Sequence, residues 1–237
     1  MNKKTFLAII AGVIIGSLSA ILYLSYVDKN TTTGEGYRWG QQGGRGQTTT
    51  TTDHAQGDCL GWLEDIEKGE LSEKEKEDLL FMREEEKLAR DVYIKMYEKW
   101  GEQIFNNISK SEQRHMDTMK ALIDRYGLED PVKDDSVGKF TNPDLAKLYN
   151  ELVAQGEKSL IDALKVGATI EDVDIRDLNN AIANTDNEDI KLAYENLRSG
   201  SYNHMRAFVG QLKKLGSDYS PQFISVELYN QILEGLR

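Results

Sequence analysis

Cysteine occurs once in the 237 residues, at Cys59, and proline and histidine occur three times each. A single cysteine excludes an intrachain disulfide framework, and it excludes the Cys-x-x-Cys pairs of a rubredoxin-like iron centre. Cys59 stands ahead of the first helix signal and too far from the apolar N-terminus to carry a lipid, so it reads as incidental. Positive charge is also short: 29 Lys and Arg face 40 Asp and Glu, a formal net charge of −11. Binding a phosphate backbone needs the opposite excess, so nucleic acid is excluded as a partner, whereas cations suit such a surface. Strand signals are nearly missing as well. There are no long alternating runs, no Asn-Gly hairpins and few β-branched clusters.

One long apolar run is present. Lys3 and Lys4 precede Phe6–Val27, "FLAIIAGVIIGSLSAILYLSYV", which matches the ~20 residues that span a bilayer and exceeds a signal-peptide core. Residues 1–27 are therefore expected to be a membrane anchor. The lysines before the span place the N-terminus inside and the rest of the chain outside the cytoplasm. Cleavage after the small residues Ser17, Ser19 and Ala20, giving a secreted protein, is the alternative. Residues 28–57 are rich in Thr, Gly and Gln and too poor in apolar residues to order themselves, so they read as a flexible tether. His54 lies there, without partners for a metal site. The folded domain is expected over 58–237.

Helix signals recur through that domain. Ser72-Glu73-Lys74-Glu75 is a capping box, and a helix is expected from there to Lys99, stopped by Gly101. Further helices are expected over Glu102–Tyr126, Leu145–Gln155, Glu157–Ala183, Ile190–Leu215 and Ile224–Leu236. Four long helices with short, long and short connections describe two antiparallel hairpins joined by a crossover. The fold class is all-α, a four-helix bundle with one long connection.

Polar residues interrupt the apolar stripes of all four long helices. The first stripe reads Leu79, Met82, Glu86, Ala89, Tyr93, Met96, Trp100. The second reads Phe105, Ile108, Glu112, His115, Met119, Leu122, Tyr126. The third reads Leu160, Leu164, Gly167, Glu171, Asp174, Leu178, Ala181, and the fourth Leu197, Ser201, His204, Phe208, Leu212, Leu215. Within "REEEKLARDVY", Glu84 points away from its stripe and is expected in solvent, while Glu85 and Glu86 flank the seam at similar offsets. Glu86 and the Glu112/His115 pair lie nearly equidistant from the Trp100-Gly101 turn, and Glu171 and His204 from the "NTDNED" turn. Each hairpin thus sets a carboxylate level with an imidazole. Buried carboxylates must be paired, protonated or metal-bound, and carboxylates with imidazoles in a bundle interior suit two iron or manganese ions. Tyr93 and Tyr97 fall near this level and are read as core.

These residues resemble the ferritin-like superfamily. Glu86-x-x-Ala89-x-x-x-Tyr93 is similar to the first metal-ligand helix of rubrerythrin-type proteins, and Glu112-x-x-His115 to their second. "MREEEKLARDVY", "SEQRHM", "ALKVGATIEDVDIRDL" and "NHMRAFVGQL" look like a prokaryotic ferritin-like branch known mainly as a domain of unknown function. The resemblance covers Leu60 to the C-terminus. It implies a ferritin-like bundle and a dimetal site, iron in preference to manganese, with the oxygen or peroxide redox chemistry of better-known relatives. It selects Glu86 as the first carboxylate, with Glu85 as runner-up. It makes Glu112 the bridge, His115 the cap of one metal, Glu171 the third helix's carboxylate and His204 the cap of the other metal. One position departs: the pattern has a second bridging Glu three residues before the last His, where this chain has Ser201. Glu195 points to nearly the opposite face, so Asp174, one turn from Glu171, is the candidate replacement.

Two readings follow. In the first, a membrane-tethered extracytoplasmic protein binds two metal ions (one or none in the reading Ser201 favours), draws electrons from an external donor, and is compatible with a homodimer. In the second, a non-enzymatic surface bundle has a metal-free site whose charges form buried salt bridges, for example with Arg90, Arg114 or Arg206.

Overall fold

The structure, a computed structural model, describes Leu63 and residues 65–236. The expected membrane segment 6–27, the tether 28–57, His54 and Cys59 lie outside the described residues. No helix among the described residues is long and apolar enough to cross a membrane. The described chain is all-α, with six helices and no strand: α1 Glu73–Trp100, α2 Gln103–Arg125, α3 Pro143–Gly156, α4 Leu160–Ala183, α5 Glu188–Lys214 and α6 Val226–Leu233.

Local chemistry sets the helix ends. At the start of α1, Glu75 N donates to Ser72 Oγ at 3.2 Å and Ser72 N to Glu75 Oε2 at 2.8 Å, the reciprocal capping box. Gly101 ends α1 with φ 70°, a left-handed turn that glycine adopts without Cβ strain. The expected ends shift by up to three residues where caps take over. Pro143 opens α3 behind Asn142, which caps Asp144 N and Leu145 N, because proline suits a first-turn position whose N–H has no partner. Ser159 caps α4, so that helix starts at Leu160 and not at Glu157. Leu215, expected on a buried stripe, lies just past α5 and is 47% exposed.

The α1–α2 and α4–α5 hairpins pack against each other through α1 with α4 and α2 with α5. The crossover helix α3 lies over α1 and α4, and α6 rests on α5. The interior divides into two apolar clusters. One holds Val92, Tyr93, Met96, Phe105, Leu164, Phe208 and Leu212, with the inner faces of α3 and α6. The other holds Leu79, Met82, Met119, Leu122, Leu178, Ile190 and Leu197. Along every long helix the ionisable stripe residues fall between these clusters, so the core is two apolar blocks separated by a polar layer.

The outer face of α1 departs from expectation. Glu84, expected in solvent, is buried: it accepts Thr141 N at 2.6 Å and Asn142 N at 3.1 Å. The cause is the long α2–α3 connection, which runs across this face and fastens to successive charges. Arg83 reaches Asp130, and Arg90 donates to Asp135 Oδ1 at 2.8 Å. Fully buried Lys87 lies 2.5 Å from Asp91 Oδ2 and donates to Ser136 O, while Asp91 also accepts Gly138 N at 2.9 Å. Helical periodicity cannot report a cover supplied from fifty residues away.

Removing Asp91 strands a buried ammonium. Asp91→Ala is expected to destabilise by about 3–5 kcal/mol. Lys133→Ala on the same connection, whose ion pair with Glu129 is solvent-exposed, should change stability by less than about 1 kcal/mol. Urea unfolding of the two variants beside the parent chain measures both.

Candidate metal centre

The polar layer collects one contribution from each long helix. Glu112 of α2 lies at its middle: Oε2 is 2.7 Å from His115 Nδ1 and Oε1 is 2.9 Å from His204 Nδ1. His115 Nδ1 is also 3.2 Å from Glu86 Oε2 on α1, and His204 Nδ1 is 3.3 Å from Glu171 Oε2 on α4. The imidazole rings stack with centroids 5.6 Å apart. Two sets of potential ligand atoms result, Glu86–Glu112–His115 and Glu112–Glu171–His204, each with its atoms within 4.8 Å of one another. Glu112 belongs to both.

The other expected residues occupy the same depth with different partners. Asp174 lies beside Ser201, whose hydroxyl hydrogen-bonds Asp174 Oδ2. Glu85 is buried but turns to Asp177 of α4, whose side chain it hydrogen-bonds, and so stands outside both sets. Glu195 is away from the layer, lining an outer cleft with Thr185 and Lys191. None of the three arginines offered as salt-bridge partners reaches the site. Arg90 goes to Asp91 and Asp135, Arg114 to Lys110 O and Ser111, and Arg206 to Ile232 O and Asn203. Their arms are engaged on other faces of their helices, Arg90 beneath the α2–α3 connection, which leaves the layer's negative charge to the two histidines.

Electrostatics follows from that composition. Burial drives the Glu86 carboxyl up to about 7, against the pull of His115. Burial also raises Glu171, and it raises Asp174 well above the carboxylate range with Glu86, Glu85 and Glu171 adding to the effect. Glu112 moves the other way: burial opposes its charge, but two imidazoliums hold it well below the usual range. Burial depresses His204, yet Glu112 and Glu171 outweigh it and lift the ring to about 10; His115 is raised for the same reason by Glu112 and Glu86. Even so, Glu86 Oε1, Glu112 Oε1, Asp174 Oδ1 and His204 Nδ1 are buried without a hydrogen-bond partner. The 2.9 Å approach of Glu112 Oε1 to His204 Nδ1 is thus a close charge contact without hydrogen-bond geometry. Orphaned oxygens and a ring nitrogen converging on one layer are the donor set that hard-to-borderline divalent ions accept.

Stripe periodicity leaves two features of the site unmarked, the first being the partner of the Tyr93 hydroxyl. The Tyr93 hydroxyl donates to Glu171 Oε1 at 2.5 Å, and Tyr93, Phe105 and Phe208 form a ring cluster with centroids 5.3–6.5 Å apart beside the layer. A buried tyrosine needs an acceptor for its hydroxyl, and that requirement is the available signal. Gly200 is the second: a Cβ there would stand 2.6 Å from His115 Nε2. The missing side chain lets the imidazole back onto α5 and direct Nδ1 to the carboxylates. No spacing rule marks it.

A family model described as "Uncharacterized protein domain (DUF2202)" matches residues 75–235. Uncharacterized protein MJ0754 of Methanocaldococcus jannaschii is 58% identical over 174 residues, covering 73% of this chain and 94% of that protein. The crystal structure of hypothetical protein MJ0754 from Methanococcus jannaschii aligns with a TM-score of 0.71 at 58% identity, covering 72% of this chain and 98% of that one.

Two expectations follow from the site. His204 is raised from 6.5 to about 10, so its contribution to stability is complete below pH 6.5 and lost as the pH rises towards 10. Ionising Glu86, whose carboxyl is raised from 4.5 to about 7, adds a cost over the lower part of that rise. Melted with chelator present, the metal-free chain should therefore lose roughly 5 °C or more between pH 6 and 9. Gly200→Ala should destabilise by about 1–3 kcal/mol through the His115 clash. Gly210→Ala, where a Cβ meets open space, should stabilise by about 0.5–1 kcal/mol. Opposite signs in urea unfolding are the check.

Proposed function

This chain belongs to the DUF2202 family, and for it we propose a ferritin-like dimetal protein with redox activity towards dioxygen or peroxide. The observation that carries the reading is the pair of Glu/His triads sharing Glu112 in a buried layer, with carboxylate oxygens left unpartnered. Glu86 and His115 would hold one ion, Glu171 and His204 the other, and Glu112 would bridge them. Asp174, brought beside Ser201 from α4, supplies a carboxylate near the position where the ferritin-like pattern has its second bridging glutamate. Iron is favoured over manganese by the resemblance alone. Two such ions supply single electrons to an oxygen-derived substrate when bound.

The chain's own residues would prepare the site for that chemistry. His115, His204 and Glu86 would give up their protons on holding the ions, exchanging a proton-balanced layer for a metal-balanced one. The Tyr93 hydroxyl fixes the Glu171 carboxylate, and the Tyr93–Phe105–Phe208 cluster keeps water off that side. Electrons would come from an external donor. In this reading residues 6–27 anchor the protein in the cell membrane and the domain over 58–237 works outside the cytoplasm. Residues 28–57 serve as the tether, and a homodimer is compatible with the bundle.

One observation favours a second reading, a metal-free bundle serving stability or partner binding: each histidine already has two carboxylates within 3.3 Å, so the layer is partly neutralised without an ion. Elemental analysis of the full-length chain, purified without chelator and reconstituted with Fe2+ or Mn2+, separates the two. We expect about two equivalents per chain. Glu112→Ala should lose both, while Glu86→Ala and Glu171→Ala each lose one. A wild-type chain that stays metal-free, with a melting temperature indifferent to either ion, would sink the dimetal reading.

A further inference from the structure

We infer that the seam between α1, α3 and α4 is an apolar passage through which a molecule of dioxygen's size and polarity reaches the carboxylate–histidine layer. It rests on the dimetal reading for what the molecule does on arrival, but not for the passage itself. A cavity of about 20 Å³ lies in this seam, walled by Leu145, Leu148 and Leu152 of α3, Leu88 of α1, and Ile170 and Val173 of α4. That volume admits one small molecule, and walls of this kind favour an apolar occupant over water, which needs two or more polar partners.

The two ends of the cavity give it direction. The inner end is Glu85, the one charged residue on its lining, whose Oε2 is buried and unpartnered. Glu85 precedes Glu86 on α1 and stands near enough to Asp174 to raise its carboxyl, and Ile170 and Val173 bracket Glu171 on α4, so the cavity is walled by the two helices that carry Glu86 and Glu171. The outer end is Thr169, which lines this cavity and also a cleft of about 420 Å³ walled by Gln155, Asp162, Lys165 and Tyr219. The Thr169 hydroxyl is committed to Lys165 O at 2.9 Å. Surface cleft and apolar cavity thus meet at Thr169, and the cavity reaches Glu85 on the helix that carries Glu86. The crossover helix α3 supplies three of the eight lining residues, which gives it a use beyond covering the core.

Relaxation by dissolved oxygen tests this on the metal-free, methyl-labelled full-length chain. Methyls of Leu148 and Val173, and the ring protons of His115 and His204, should relax at least roughly threefold faster under oxygen than the methyls of Leu178 and Ile190 in the other apolar cluster. Leu152→Phe, which fills the cavity, should bring the ring protons to the control rate. Leu148→Ala, which widens it, should raise them, so a folding failure of one variant leaves the other to decide. Cavity methyls at the control rate would overturn the passage; a water held between Glu85 and Thr169 would give that result. Ring protons that ignore both substitutions would overturn it too, by showing a dead-end pocket. A chain that takes up no metal sinks the reading above, while the oxygen result still decides this one.

Discussion

Glu112 between His115 and His204 is the contact on which the rest of the molecule is arranged. A carboxylate withdrawn from water must be compensated nearby, and here each of its oxygens approaches one imidazole. The imidazoles in turn draw in Glu86 and Glu171, so that all four long helices are tied at one depth. Because the layer is polar, apolar packing must proceed separately on either side, and the core accordingly consists of two clusters. The helices thus hold the layer in place, while the layer fixes their mutual register. A slip of one turn in any helix would bring an apolar residue into the layer and leave a carboxylate among leucines.

The same logic explains the outer features. The α2–α3 connection is long because it must return the chain across the bundle, and it is ordered because α1 offers it Arg83, Glu84, Lys87, Arg90 and Asp91. These residues and the inward-facing Glu85 and Glu86 come from one short stretch of helix. One face of that stretch secures the crossover and the other serves the centre. α3, delivered by that crossover, then closes the seam that leads to Glu85. The site and its cover are therefore mechanically linked through α1.

Much of this was legible in the residues themselves. Capping boxes, glycine stops and stripe periodicity gave six helices with ends displaced by no more than three residues, because these signals are local. Glu86, Glu112, His115, Glu171 and His204 stood on buried stripes at matching distances from their turns, and the structure brings them together. Asp174 was found by the same stripe. Ser201 was visible as a departure, and its hydrogen bond to Asp174 supplies the physical consequence. The errors have a common origin. Glu84, expected in solvent, and Arg90, Arg114 and Arg206, offered as salt-bridge partners in the metal-free reading, depend alike on what another part of the chain places alongside.

The sequence by itself determined the helices, the level at which charge enters the core and the residue types that meet there, since each depends on neighbours three or four positions apart. Only the tertiary structure decided that Glu112 stands between the histidines and that Glu85 turns to Asp177 while Glu86 faces His115. Only it decided that Gly200 makes room for an imidazole, and that a triplet of acids on one helix is buried on both sides. Those outcomes depend on side-chain direction and on cover from distant segments. Burial in a low-dielectric interior, which sets both charge state and partner, is a property of the assembled bundle and of no single helix.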